Sequence, residues 1–419
     1  MPTIASPNTE TSLGETQQAG DLRPDPLLIA APSTEATSPL PVAAAKQANA
    51  RDKRIDCLRG LAVLSVILAH SVIPIPIFFK AGWMGVDLFF VLSGFLISGL
   101  LFRDYQQHQS IDVKRFLVRR GFKIYPSFWL FLAVTWGISV LRQETSTVPL
   151  SAYIHELFFV QNYFSPVWVH TWSLAVEEHF YIFLPVFLVT LIRLSRNVRD
   201  PFRAIAWSAL AISVACILSR AALILLPSVP HYNLAYRATH ARMDSLFFGV
   251  LLGYLHHYHG ESLKRTLQST FTRVAIAVAC LALLLPGYFA PRDHKAFGIL
   301  AYSSAYFACG GILLLSIYVR RVLPQTLAKY LKPFGDALAF IGVYSYSIYL
   351  WHEAVREWPD LLAYGVFGVA LPPVPYFLLY LALCLIMGIT LSRSVEHPIL
   401  RLRDRLFPEH AGNYRRPER

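Results

Sequence analysis

Charged residues are scarce in this chain. Only 15% of its 419 residues are Asp, Glu, Lys or Arg, whereas 55% are hydrophobic. A soluble globular domain usually carries about 25% charged residues. The apolar residues form long runs separated by short, arginine-rich stretches, and a bilayer core takes roughly 20 consecutive apolar residues per helix. The composition excludes an ordinary soluble domain and predicts one polytopic membrane domain.

Cysteine is also sparse. The five cysteines all fall inside apolar runs, and no two of them stand at the spacing of a metal site. We interpret them as small buried hydrophobic residues. The cysteines therefore predict no disulfide framework. Nothing else in the sequence implies a metal site or a permanently bound cofactor.

The first part of the chain contains few aromatic residues and is rich in Ala, Pro, Ser and Thr. Such a segment cannot bury enough apolar surface to fold, so residues 1–51 are predicted to be a disordered cytoplasmic tail. It lacks the basic start and apolar core of a signal peptide. We assign residues 52–400 to the transmembrane domain and 401–419 to a basic cytoplasmic tail, and we expect no soluble catalytic domain at either end.

The apolar runs predict an all-α integral membrane protein of about ten transmembrane helices. Strict alternation of apolar and polar residues is missing, which argues against a β-barrel. The predicted spans are 57–79, 83–102, 122–141, 173–192, 204–226, 243–256, 274–289, 297–319, 338–352 and 367–392.

Basic residues predict the orientation, because Lys and Arg concentrate on the cytoplasmic side of membrane proteins. With both termini inside, the inner segments hold 29 of the 38 basic residues and the outer segments hold 7. This asymmetry explains the net charge of +12 as an orientation signal with affinity for membrane lipids. Nucleic acid is not an expected partner, and the oligomeric state stays undetermined.

Ionisable residues inside predicted spans are candidates for function, because each costs at least roughly 2.5–3.5 kcal/mol at a helix centre. One group is expected between the midplane and the outer face, where it can converge on a polar cavity. Its members are His70, Asp87, Glu177, Glu178, Arg242, Asp244 and His352. A second, cytoplasmic group comprises Arg59, Arg115, Arg119, Arg120 and Lys123.

Each of these residues also has a purely structural interpretation. The histidines can be interhelical hydrogen-bond partners, and Asp87 and Arg242 can simply pair with each other or with another buried charge. Glu177 and Glu178 point about 100° apart on a helix, so only one is expected to face a cavity. The arginines before the third span can be orientation signals.

Five ordered segments resemble the acyltransferase 3 family of integral membrane proteins, over roughly residues 52–400. They are 55–64 (IDCLRGLAVL) running to His70, 85–97 (GVDLFFVLSGFLI), 115–120 (RFLVRR) with Tyr125 and Pro126, 172–178 (WSLAVEE) and 344–352 (YSYSIYLWH). Cys57 and His179 depart mildly from the Gly and Gln that the family commonly shows there. The resemblance implies O-acylation, often O-acetylation, of a carbohydrate, polysaccharide or glycolipid acceptor, and in some relatives of small secondary metabolites. It also implies an acyl-coenzyme A donor, a bacterial inner membrane location and essential roles for Arg59 and His70.

From these residues we hypothesise a division of roles. His70 is the candidate general base, since a neutral imidazole has a pKa near working pH, with Asp87, Glu177 and Glu178 as further catalytic candidates. Four arginines are expected to bind the donor's phosphates: Arg59, Arg115, Arg119 and Arg120. The acceptor is assigned to Arg242, Asp244, His352 and Trp172. A transient acyl-imidazole on His70 is the alternative to direct transfer, and a proton-coupled transporter is the alternative function.

Overall fold

Helices make up most of the chain that the computed structural model describes. The described residues are 52–71, 82–142, 148–195, 198, 200–228, 231–289, 294–319 and 325–408. The long helices are α1 (Lys53–Ala69), α2 (Met84–His108), α3 (Val113–Leu141), α5 (Trp172–Leu194), α6 (Ile205–Leu225), α8 (Thr239–Tyr258), α10 (Thr270–Phe289), α11 (Lys295–Tyr318), α12 (Gln325–Val343) and α15 (Pro373–Leu391). The short ones are α4 (Leu150–Leu157), α7 (Tyr232–Arg237), α9 (Gly260–Thr266), α13 (Ser345–Trp351), α14 (Trp358–Phe367) and α16 (His397–Leu406). A 3₁₀ turn, Val169–Thr171, precedes α5, and a π-helical turn, Ser392–Glu396, follows α15.

Seven helical segments of the described chain are long and apolar enough to cross a membrane. They are Met84–His108, Val113–Leu141, Val169–Leu194, Ile205–Leu225, Thr270–Phe289, Lys295–Tyr318 and Pro373–Leu406. Each contains one of the predicted spans or most of one. The all-helical fold class is thus confirmed, and the protein is a multi-pass membrane protein.

The ends of several predicted spans were wrong. Span 338–352 is interrupted at Tyr344, whose backbone (φ −101°, ψ 8°) leaves helical geometry between α12 and α13. Span 367–392 begins too early, because α14 ends at Phe367 and α15 begins only at Pro373. Helix α1 ends at Ala69, with His70 as its C-terminal cap; residues 72–79 of the first predicted span lie outside the described residues.

Glycines allow two pairs of helices to pack with their backbones in contact. A Cβ added at Gly94 of α2 would overlap the Leu246 carbonyl of α8, and one added at Gly249 would overlap the Val91 carbonyl. Gly342 of α12 approaches the Asp56 carbonyl of α1 in the same way. Small residues at helix contacts are the usual means of close packing in lipid. These contacts fix α2 against α8, and α1 against α12.

Helix α1 connects the two regions of polar side chains described below. Arg59 lies near its N-terminal end and His70 caps its C-terminal end. Eleven residues separate them, so about 16 Å of helix axis lies between the two positions at a rise of roughly 1.5 Å per residue.

Candidate functional site

A cavity of about 370 Å³ lies between α1, α2, α3, α5, α13 and α16. Its cationic lining residues are Arg59, Arg103, Arg119, Arg120, Lys123 and Arg403. Its remaining polar lining residues are Ser93, Ser173, Glu177, Glu178, Tyr181, Ser345, Tyr346 and Tyr349. The cavity lining thus contains six cationic groups and two carboxylates.

Helix α3 supplies three of the cations. Lys123 follows Arg119 by four residues and Arg120 by three, so it neighbours both arginines on the helix surface. Arg119 forms an ion pair with Asp404 of α16, at 3.2 Å, and Arg120 lies over the Tyr181 ring, 4.6 Å from its centre. Both arginines lie within α3, a helix long and apolar enough to cross a membrane, although the sequence had placed them before the third span. Arg115 is on the same helix but is not among the described residues that line the cavity.

Glu177 and Glu178 both line this cavity, so the expectation that only one faces it was wrong. Ser93 Oγ donates to Glu177 at 2.6 Å and the Tyr181 hydroxyl donates to it at 3.1 Å. The Tyr125 hydroxyl donates to Glu178 at 3.0 Å. The cavity spans more than a quarter of the circumference of α5, which brings both carboxylates into it. Glu177 and Glu178 thus lie in the cavity with the arginines, and not beside His70.

The other predicted charged residues form two buried ion pairs. Asp87 contacts Arg242 at 2.8 Å, and Asp244 contacts Arg220 of α6 at 2.9 Å, with all four side chains fully buried. The Arg242 guanidinium also lies 5.5 Å from the Trp172 ring. The predicted convergence of these residues on one cavity with His70 was wrong, because each charge is neutralised by a neighbouring helix. Their structural interpretation, mutual pairing, is the one that the structure shows.

Three histidines and a glutamate form a second polar region at the C-terminal end of α1. The rings of His70 and His352 lie 5.1 Å apart, and those of His352 and His170 lie 4.8 Å apart. Glu353 Oε1 lies 3.3 Å from Nε2 of His70. His352 and His170 are buried, whereas the His70 side chain is 36% exposed. His70 is therefore the accessible imidazole of this histidine cluster.

Tyr349 separates the cavity from the histidine cluster. It lines the cavity, and its ring centre lies 5.5 Å from that of His352. Its hydroxyl donates to the His170 carbonyl at 2.8 Å and lies 2.7 Å from Ser173 Oγ. The cavity thus ends one side chain away from the buried histidines His352 and His170.

The segment before α5 is held by a buried carboxyl group. Glu156 of α4 accepts hydrogen bonds from the Trp168 backbone N–H at 3.1 Å and from Thr171 Oγ1 at 2.8 Å. Burial raises the pKa of Glu156 to about 7. These bonds fix the turn that carries His170.

Sequence reasoning missed several members of both regions. Glu353 directly follows His352, and its position beside a predicted site histidine was a usable signal. Arg403 was counted only as part of a basic tail, and Tyr349 was quoted only within a motif. Arg103 and His170 carried no local signal, because only tertiary packing brings them to the site.

Comparison with known proteins gives a consistent result. The model of the acyltransferase domain of the acyltransferase 3 family matches residues 52–393. A protein of Staphylococcus aureus strain COL, named as a candidate O-acetyltransferase, is 30% identical over 362 residues, which cover 82% of this chain and 56% of the relative. O-acetyltransferase OatA of S. aureus strain NCTC 8325 is 26% identical over 385 residues, covering 86% of this chain and 60% of OatA. The chain thus spans less than two thirds of the length of these curated relatives. No solved structure matches it significantly.

Proposed function

Because the chain belongs to the acyltransferase 3 family, we propose that it is an O-acyltransferase that moves an acyl group, most simply acetyl, from acyl-coenzyme A to a hydroxyl of a carbohydrate, polysaccharide or glycolipid. Two relatives carry the name O-acetyltransferase. The observation that carries the proposal is a cationic cavity bordered by Tyr349, whose ring packs against His352, which in turn packs against the accessible His70.

The cavity is assigned to the donor. Coenzyme A carries several phosphate charges, and Arg binds phosphate through a planar fork of N–H donors. Arg59, Arg119 and Arg120 are the predicted donor-binding residues that line the cavity, and Arg403 and Lys123 add to their charge. We assign Glu177 and Glu178 to holding this region in place through Tyr181 and Tyr125, rather than to the reacting hydroxyl.

His70 is assigned as the general base. Its Nδ1–H donates to the Val66 carbonyl at 2.8 Å, which leaves the lone pair on Nε2. That nitrogen takes the proton of the acceptor hydroxyl while the hydroxyl oxygen attacks the thioester carbonyl. The C–O bond forms, the C–S bond breaks, and the coenzyme A thiolate leaves and takes the proton from the His70 imidazolium, which restores the neutral base. Glu353, 3.3 Å from Nε2, stabilises the imidazolium that forms in between.

The alternative mechanism is covalent. Nucleophilic attack by His70 would give an acyl-imidazole intermediate before the acceptor reacts; we favour direct transfer, because Glu353 is placed to stabilise a protonated imidazole.

The alternative function, a proton-coupled transporter, would use the same buried charges. Asp87 is paired with Arg242, and Asp244 with Arg220, so we assign these four charges to structural roles and not to a relay.

We further propose ten spans with both termini in the cytoplasm of a bacterial cell. Helices α1 and α8 fall at the predicted first and sixth spans, and α12 together with α13 covers the predicted ninth, so they would complete ten with the seven apolar helices. The distribution of basic residues then puts the cavity on the cytoplasmic side, where acyl-coenzyme A is made. His70, at the other end of α1, would lie toward the outer side.

The function is tested on cells that lack the gene. Surface and secreted glycans of the deletion strain and the parent are compared by mass spectrometry. We expect one acyl mass to disappear in the deletion strain, to return with the wild-type gene, and to stay absent with His70→Ala expressed at the same level. Identical glycans in all strains would contradict the proposed acceptor class.

A further inference from the structure

The histidine cluster brings three potential metal-ligand atoms into one small space. They are one nitrogen of His70, one nitrogen of His352 and one carboxylate oxygen of Glu353, and all of them lie within 4.8 Å of one another. Nε2 of His70 is 3.3 Å from Glu353 Oε1, and Nε2 of His352 is 3.9 Å from it. His70 is 282 positions before His352, so neither the spacing of the histidines nor the cysteine pattern could have indicated this group.

Hydrogen bonds fix the same tautomer on both rings. His70 Nδ1–H donates to the Val66 carbonyl at 2.8 Å, and His352 Nδ1–H donates to the Tyr349 carbonyl at 2.6 Å. The Nε2 lone pairs therefore face the Glu353 carboxylate. Metal-ligating histidines usually show this arrangement, with the second ring nitrogen donating to a backbone carbonyl or a carboxylate.

One of these lone pairs is buried without a partner. His352 is 0% exposed, and its Nε2 has no hydrogen-bond partner among the described residues. A buried polar atom that is left unpaired costs roughly 1–3 kcal/mol. Two nitrogen lone pairs and a carboxylate facing one another are compensated most directly by a cation between them.

We propose that His70, His352 and Glu353 bind one transition-metal dication, of the class that Zn²⁺ represents. Two imidazoles and one carboxylate are the protein ligands of many zinc sites that keep an open fourth position. The His70 and Glu353 side chains are 36% and 14% exposed, so the site opens on the His70 side. Arg356, 3.3 Å from the other oxygen of Glu353, orients the carboxylate. A small inward movement of the side chains would shorten the present separations to those of ligands around one ion.

A bound metal would have a consequence that rests on the proposed function. The metal and the acceptor proton use the same Nε2 lone pair of His70, so an occupied site cannot act as the general base. Zinc is therefore expected to inhibit acyl transfer. Activation by zinc would contradict the role of His70 as the general base, but it would not contradict binding of the metal.

Cobalt provides the binding test, because Co²⁺ held by nitrogen and oxygen ligands in a tetrahedral site absorbs strongly in visible light. The full chain is purified in detergent without a polyhistidine tag, stripped with a chelator and titrated with Co²⁺. We expect one equivalent to bind with visible d–d bands, and Zn²⁺ to displace it. No activity is needed for this measurement.

Variants decide whether the ion is in this site. His70→Ala and Glu353→Gln should each weaken Co²⁺ binding at least tenfold, and the matched control His240→Ala, a histidine against Tyr163 in another part of the fold, should not. Glu353→Gln keeps the side-chain shape, and His70 is at a helix end, so at least one of the two should fold normally by size-exclusion profile. Unchanged d–d bands in a folded variant, or no bands in the wild-type protein, would overturn the proposal.

Discussion

His70 Nε2 faces Glu353 Oε1 at 3.3 Å, across the gap between the end of α1 and the turn after α13. The sequence had presented His70 as a lone imidazole near the middle of a span. In the structure it is a partly exposed imidazole at a helix end, with a carboxylate on its reactive nitrogen. Because of this arrangement, the neutral His70 imidazole can take up a proton and pair its new positive charge with the Glu353 carboxylate.

We predict that His70→Ala abolishes acyl transfer while the protein still inserts and folds. General-base catalysis contributes typically about 10²–10⁴-fold, so the rate should fall at least a hundredfold at equal membrane abundance. The matched control is His108→Ala, at the end of α2. Activity within a few-fold of wild type would rule out both the base and the acyl-carrier role of His70. Labelled acyl trapped on His70 in the absence of acceptor would favour the covalent route.

We predict that Arg119→Ala combined with Arg120→Ala mainly weakens donor binding. These side chains line the cavity but lie beyond Tyr349 from His70, so the KM for acyl-coenzyme A should rise more than kcat falls. Lys114→Ala, an exposed lysine on the same helix, is the control for the loss of positive charge. A donor KM equal to that of the control would reduce both arginines to orientation signals.

We predict that Asp87→Ala lowers stability rather than donor or acceptor binding. Breaking a buried ion pair by removing one partner costs about 3–5 kcal/mol, and Asp87 holds the Arg242 guanidinium at 2.8 Å. Thermal unfolding in detergent should shift down, whereas Asp87→Leu combined with Arg242→Met should recover part of the loss. A variant of normal stability without activity would restore the catalytic role that the sequence suggested for Asp87.

We predict that Glu156 makes stability depend on pH near neutrality. Its pKa is raised by burial to about 7, from an ordinary value of about 4.3. The folded state therefore favours the protonated form of Glu156. The stability that this form contributes is fully present below the ordinary pKa and is lost as pH rises toward 7. The melting temperature of Glu156→Gln minus that of the wild type should therefore be more positive at pH 8 than at pH 5. Parallel pH profiles for the two proteins would contradict this.

The sequence predicted the positions of the helices better than it predicted which side chains contact one another. Apolar runs identified the long helices, because lipid forces backbone groups to pair within a segment. Hydropathy does not say which buried charges meet, so the sequence left open both a site role and mutual pairing for Asp87 and Arg242. The packing of α2 against α8 shows the pairing. Arg59 and Arg119 were found because arginines near a span were noticed as a cluster. Glu353 was missed although it directly follows His352, because only the packed fold shows that it contacts His70.

The central claim is that a donor bound in the cavity at the Arg59 end of α1 acylates an acceptor at the His70 end. It is tested most directly in sealed vesicles whose cytoplasmic face points outward. Labelled acetyl-coenzyme A is added outside, and glycans from the deletion strain are enclosed. We predict label on the enclosed glycans with the wild-type protein and none with His70→Ala. Label that forms only when donor and glycans share the cytoplasmic face would contradict transfer across the membrane.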